Sequence, residues 1–280
     1  MISETRRSGL GRVMMLLIAG TLLTLLFAGC AEVNYVRDAQ SSFNEAARLE
    51  NQARMDRTYN PAPAVNNKDV IRAGYANAVF SLSRLTSKQI ETLKSDNLWG
   101  LALTIKALSY WRLGDYDKME QTRNEAASYA NQLYPRDKAL MAALPGLRRN
   151  DEAWALIFAN TQGMQSAEKS QRLSEVDQLL DSAIGILDTA RRPVDNPEVQ
   201  AYLTQAILSC YRNKMTAHRV LAGGTYSSSD KANAKDQVRA LDCSFKKYLD
   251  GTDLAEARSQ VVGPWQDRLG FPADDCTCTQ

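Results

Sequence analysis

From Glu32 almost to the end of this chain, apolar side chains return at intervals of three and four residues. Val36, Ala39, Phe43 and Ala46 do so near the start, and Val199, Leu203, Ala206, Ile207 and Cys210 much later. That spacing lines one face of an α-helix, whose turn is about 3.6 residues. No segment sustains the alternation that a half-buried strand requires. A chain with helix stripes and no strands can bury its apolar surface only helix on helix, so the fold class is expected to be all-α.

Helices are predicted over about 32–57, 69–85, a short one opened by the capping pair Thr86-Ser87, 97–113, 117–132, 136–144, 150–160, 166–190, 196–218, 230–249 and 253–261. Thr58 to Pro63, with two prolines, interrupts the first pair. Ala222 to Asp230, with two Gly and three Ser, reads as a flexible loop. The other connections are short, which favours antiparallel neighbours.

Residues 1–30 follow a different pattern. Arg6, Arg7 and Arg12 precede a charge-free, largely apolar run from Val13 to Phe27 that ends in Ala28-Gly29-Cys30. The run is about fifteen residues long, short of the roughly twenty a helix needs to cross a bilayer. A basic start, an apolar core and small residues at its end are the parts of a secretion signal, expected to be removed as residues 1–29.

Leu26-Phe27-Ala28-Gly29-Cys30 resembles the bacterial lipobox at Ala28, Gly29 and Cys30 and departs from it at Phe27, where an aliphatic residue is usual. The resemblance implies that Cys30 becomes the first residue and carries three acyl chains, palmitate among them. One chain holds a protein to a membrane marginally, and several hold it firmly. Ala31 is not the Asp that resembles an inner-membrane retention signal, which implies an outer-membrane anchor facing the periplasm. Arg6-Arg7 is also similar to a twin-arginine signal, but the Phe-Leu that follows in that family is missing, so general secretion is the expected route.

Removing the leader turns 34 basic and 32 acidic residues into 31 of each. A nucleic-acid partner would call for a basic excess or stripe, and neither is present. Beyond Cys30 the chain has Cys210, Cys243, Cys276 and Cys278, an even number for an oxidising compartment. Cys276-Thr277-Cys278 closed on itself would be a strained ring, so Cys210 and Cys243 are expected to staple the tail back onto the helices. Metal is not expected: Cys-x-Cys lacks the two-residue spacer of zinc pairs, and the chain has one histidine, His218. No cofactor is expected besides the covalent lipid.

Leu113-Gly114-Asp115-Tyr116-Asp117 follows a helix carrying Ala107 and Tyr110 and precedes one carrying Ala126. This stretch resembles the tetratricopeptide repeat, in which two helices flank a tight turn; it departs from the repeat at Met119, Arg123 and the late Pro135. Ala39, Phe43 and Ala46 form a weaker echo. One repeat cannot bury its own apolar face, so the resemblance implies an irregular array, or α-solenoid, of antiparallel helix pairs. The organisation expected is a leader (1–29), a lipidated helix and linker (30–68), a repeat-like helical domain (69–270) and a cysteine tail (271–280).

Such arrays hold a partner's extended segment or helix in a concave groove. The function implied is an envelope-anchored scaffold, or an accessory subunit of an assembly, secretion or export complex, with an unidentified envelope protein as partner. Trp99, Tyr110 and Trp111 are the candidate contacts, because large aromatics concentrate binding energy. A related family of helical lipoproteins serves solute transporters, which gives an alternative. An enzyme is not expected. Gly163-Met164-Gln165-Ser166 faintly resembles a lytic transglycosylase motif, but the Glu-Ser pair that supplies the general acid is replaced by Glu152-Ala153. His218 reads as a solvated residue at a helix end.

Overall fold

The computed structural model describes residues 31–59, 68–159, 163–224, 227–249, 251–272 and Cys278. Among these there are helices and turns and no strand. The leader, Cys30, Cys276 and most of the 58–68 linker lie outside them. The chain forms two compact units, one ending at Met141 and the other running from Ala142. The 69–270 stretch, expected as one array, is divided between them.

The first unit holds α1 (Ala31–Tyr59), α2 (Lys68–Ser83), α3 (Ser87–Ser95), α4 (Trp99–Leu113) and α5 (Tyr116–Ala127), with a short 3-10 turn at Ala130–Gln132. Val36, Ala39, Phe43 and Ala46 are buried, as the spacing predicts. α1 packs on α2, α2 on α4 and α4 on α5. Ala46 lies against Gly74 while Arg84 stacks over Tyr35, so numbers fall along α1 as they rise along α2 and the pair is antiparallel. Glu50 joins three helices, accepting hydrogen bonds from the Tyr75 hydroxyl at 2.6 Å and from Arg112 at 3.0 Å.

Helix starts follow local chemistry. Thr86 and Gln89 make a reciprocal capping box at α3, and Asp115 caps α5 by accepting from the Lys118 amide. Gly114, at φ +77°, ends α4 in the left-handed conformation that glycine adopts without steric penalty.

α6 (Pro135–Phe158) is one helix and contains the boundary between the units. The sequence reading broke it between 144 and 150. Pro145 does remove one backbone hydrogen bond, which disfavours a helix interior by about 3 kcal/mol. Leu144 and Leu147 are buried on either side of it, each worth about 1.5–3 kcal/mol, and their burial outweighs the defect.

The second unit continues with α7 (Ser166–Arg191), α8 (Pro197–Ala217), a wider π turn at His218–Ala222, α9 (Ser228–Tyr248), α10 (Gly251–Ala257), a second π turn at Arg258–Val262, and α11 (Gly263–Leu269). Asn196 caps α8, with Pro197 at its first turn. Ser227 caps α9, so Ser228 to Asp230 are helix and not part of the expected loop. The expected single 253–261 helix is replaced by the α10–π–α11 sequence. Pro264 starts α11 and Gly270 ends it in the left-handed region.

Val176, Leu180, Ala183, Leu187 and Ala190 give α7 a stripe with four- and three-residue steps, and Ala234, Val238, Leu241 and Phe245 give α9 the same. α8 lies between, packed on both. Asp177 meets His218, Asp181 meets Lys214 and Arg191 meets Thr204, so α7 and α8 are antiparallel.

Candidate functional site

The α4–α5 hairpin carries the repeat-like residues. Ala107 and Ala126 are buried where the two helices meet, and Gly114, Asp115 and Tyr116 make the turn. Met119, one of the departures, is fully buried, and Arg123 pairs with Glu120 at 2.8 Å. The proposed contact role of two aromatics is corrected. Trp99 and Trp111 are 5% and 6% exposed, and the Trp99 indole donates to Glu125 at 3.2 Å. Their surface is already used in packing, because α4 is buried on most of its circumference. Tyr110 is half-buried, with Lys118 over its ring.

Large exposed aromatics stand elsewhere. Trp154 and Phe158, one turn apart on α6, meet with ring centres 4.4 Å apart and planes tilted by 54°, and 41% and 55% of their surfaces are exposed. Arg212 of α8 lies over the Trp154 ring at 5.3 Å. A tryptophan flanked by a guanidinium is a common anchor in interfaces. The i, i+4 spacing was present in the sequence, but nothing in it marked this turn as facing outwards.

The second unit contains a charged cluster that sequence reasoning missed. Lys214, with 7% of its side chain exposed, lies between Asp181 at 2.8 Å and Asp230 at 3.0 Å, tying α8 to α7 and α9. Burial alone would push the Lys214 ammonium down; the two carboxylates outweigh it and hold it above the ordinary lysine value. His218 is not a solvated helix end: the π turn places its Nε2 3.1 Å from Asp177 Oδ2. Burial pushes the Asp177 carboxyl up, with His218 and Lys214 opposing. Asp177 Oδ1 is buried with no hydrogen-bond partner among the described residues. The available signal was register: Lys214 follows Ile207 and Cys210 on the stripe of α8, at a position where an apolar residue belongs.

The C-terminal tail is held on α9. Cys243 is bonded to Cys278, closing a separation of 35 residues, worth about 4 kcal/mol in the chain-entropy view. Cys210 was expected to staple the tail and does not. It is a free thiol, completely buried on the inner stripe of α8, and burial pushes its pKa up. Beside the bond, Asp242 is 1% exposed and takes a two-pronged contact from Arg258 at 2.6 and 2.9 Å. The Cys278 backbone N–H donates to the same carboxylate at 2.7 Å. Burial pushes Asp242 up, but these donors prevail and hold it below the usual aspartate range.

The residues weighed for catalysis have local partners. Glu152 pairs with Arg148 at 2.7 Å, and Gly163 to Gln165 lead into α7 at Ser166, where the Gln165 backbone N–H donates to Glu168. Among the described residues no group of three or more His, Cys, Asp or Glu is placed to hold a metal ion. No described helix is long and apolar enough to cross a membrane. The chain has no significant match to any protein family, curated protein or solved structure.

Proposed function

We propose that this chain is a non-enzymatic, lipid-anchored interaction module of a bacterial envelope, held to the periplasmic face of the outer membrane through Cys30. The observation that carries the reading is the basic and apolar run that ends in Ala28-Gly29-Cys30. Three features support the second half of the proposal: antiparallel helix pairs, the repeat-like turn at Gly114-Asp115, and the exposed Trp154–Phe158 pair beside Arg212. The last replaces Trp99 and Trp111 as the contact we assign. The stacking of the helix pairs as an irregular tetratricopeptide-like array belongs to the same proposal.

Crosslinking the native protein in membranes and identifying what is captured tests the reading. The expected result is one dominant envelope complex, with capture reduced at least fivefold by Trp154→Ala. Recovery of a periplasmic solute-binding protein alone would move the assignment to a transporter component. Capture of peptidoglycan fragments alone would move it to cell-wall chemistry.

A further inference from the structure

We propose that the Cys243–Cys278 bond is a reducible latch, whose opening releases residues 251–272 from α9 and from the face of α8 they touch, while α7, α8 and the body of α9 remain packed on one another. Three contacts of Cys278, which follows this segment in the chain, converge on one turn of α9. Cys278 is bonded to Cys243, its N–H is held by Asp242, and its carbonyl oxygen accepts from Lys246 at 3.5 Å. Arg258, in the middle of the segment, grips the same Asp242. Cys278 and Arg258 therefore share one carboxylate, and loss of the first weakens the grip of the second. Without Cys278 over it, the Asp242 carboxylate is open to water, and a solvated ion pair is far weaker than one in a shielded site.

The segment's helices are too short to persist once they are unpacked. α10 and α11 are seven residues each, well below the length at which a helix persists alone, and they are joined by a π turn. Its buried residues, Val261, Val262, Trp265 and Leu269, are packed only while the segment lies closed. Release uncovers them, so the latch converts a change of thiol state into a new apolar surface.

Both Cys243 and Cys278 are partly exposed, so a dithiol can reach them. One thiolate of the dithiol attacks one sulfur of the bond, and its second thiol resolves the mixed disulfide. The dithiol ends as a disulfide, and Cys243 and Cys278 take up two electrons and two protons as thiols. Cys210 does not trap the open form: its thiol is buried, and the thiolate needed for exchange is disfavoured there.

Hydrogen exchange followed by mass spectrometry on the full chain, with and without dithiothreitol, tests the latch, with reduction verified by alkylation of Cys243 and Cys278. Exchange in 251–272 should rise at least tenfold while α7 and α8 keep their protection, and Cys243→Ser should show the same profile without reductant. Unchanged protection of 251–272 in either sample would overturn the proposal. So would loss of protection in α7 and α8 along with it, because the bond would then be a staple for the whole unit. The readout is independent of Cys30 and of any partner, so it separates from the envelope reading.

Discussion

Replacing Lys214 by methionine is expected to destabilise the unit that runs from Ala142 by about 3 kcal/mol, the low end of what removing one partner from a buried ion pair costs. The low end applies because Asp181 is 61% exposed and water can solvate it once the ammonium is gone. Asp230 is 15% exposed and is left without its charge partner at the first turn of α9. Urea unfolding followed by hydrogen exchange in α7–α9 reads the effect. Adding Asp230→Asn should restore part of the loss, because the stranded carboxylate is then gone.

The pH dependence of this prediction has a definite sign. Lys214 is raised above its unfolded value of about 10.4, so its contribution is complete below that pH and is lost as pH rises through the folded value. The difference between wild type and Lys214→Met should be constant from neutrality to about pH 10 and shrink above it. A difference below 0.5 kcal/mol at neutral pH, or one that grows in alkali, would remove Lys214 from the account.

Gly74→Val should be as severe in the unit that ends at Met141. A Cβ at residue 74 would sit 2.8 Å from the Ala46 Cβ and 3.3 Å from the Ser42 carbonyl oxygen. Neither obstacle is the end of a flexible side chain. Valine adds two methyl groups to that clash, so α1 and α2 must part, carrying Phe43 away from Tyr75, whose rings meet edge-on at 5.3 Å. Overpacking typically costs 1–3 kcal/mol, and an obstacle at a helix–helix contact belongs at about 3. Thermal unfolding that leaves the α1–α2 pair within 0.5 kcal/mol of wild type would show that this contact yields.

Much of the fold was legible because helix stripes are local. Val36, Ala39, Phe43 and Ala46, and Val199, Leu203, Ile207 and Cys210, could be placed on buried faces from spacing alone. The helix class follows from that period, and the short connection between α7 and α8 pointed to their antiparallel sense. Pro145 misled because its local penalty was visible while the burial of Leu144 and Leu147 was not. His218 misled for a similar reason: it was read as a solvated helix end because its partner, Asp177, is 41 residues away on another helix.

The contact residues were the least legible. Trp99 and Trp111 look like anchors in one dimension and are packed in three. Trp154 and Phe158, which the spacing did not single out, stand exposed. Spacing identifies which residues share a helix face, and only the packing of other helices decides whether that face is covered. Likewise, the cysteines gave a tail staple on Cys243, which the bond to Cys278 bears out, while Cys210, expected to share that role, is a buried free thiol.

The central claim is that Cys30 anchors the chain to a membrane, and the mass of the N-terminal peptide of protein purified from the membrane fraction tests it most directly. The account predicts a peptide that begins at Cys30 and carries a thioether-linked diacylglycerol and an amide-linked acyl chain, with Cys30→Ala recovered unmodified in the soluble fraction. A mature N-terminus at another residue, with the Cys30 thiol free to react, would contradict it.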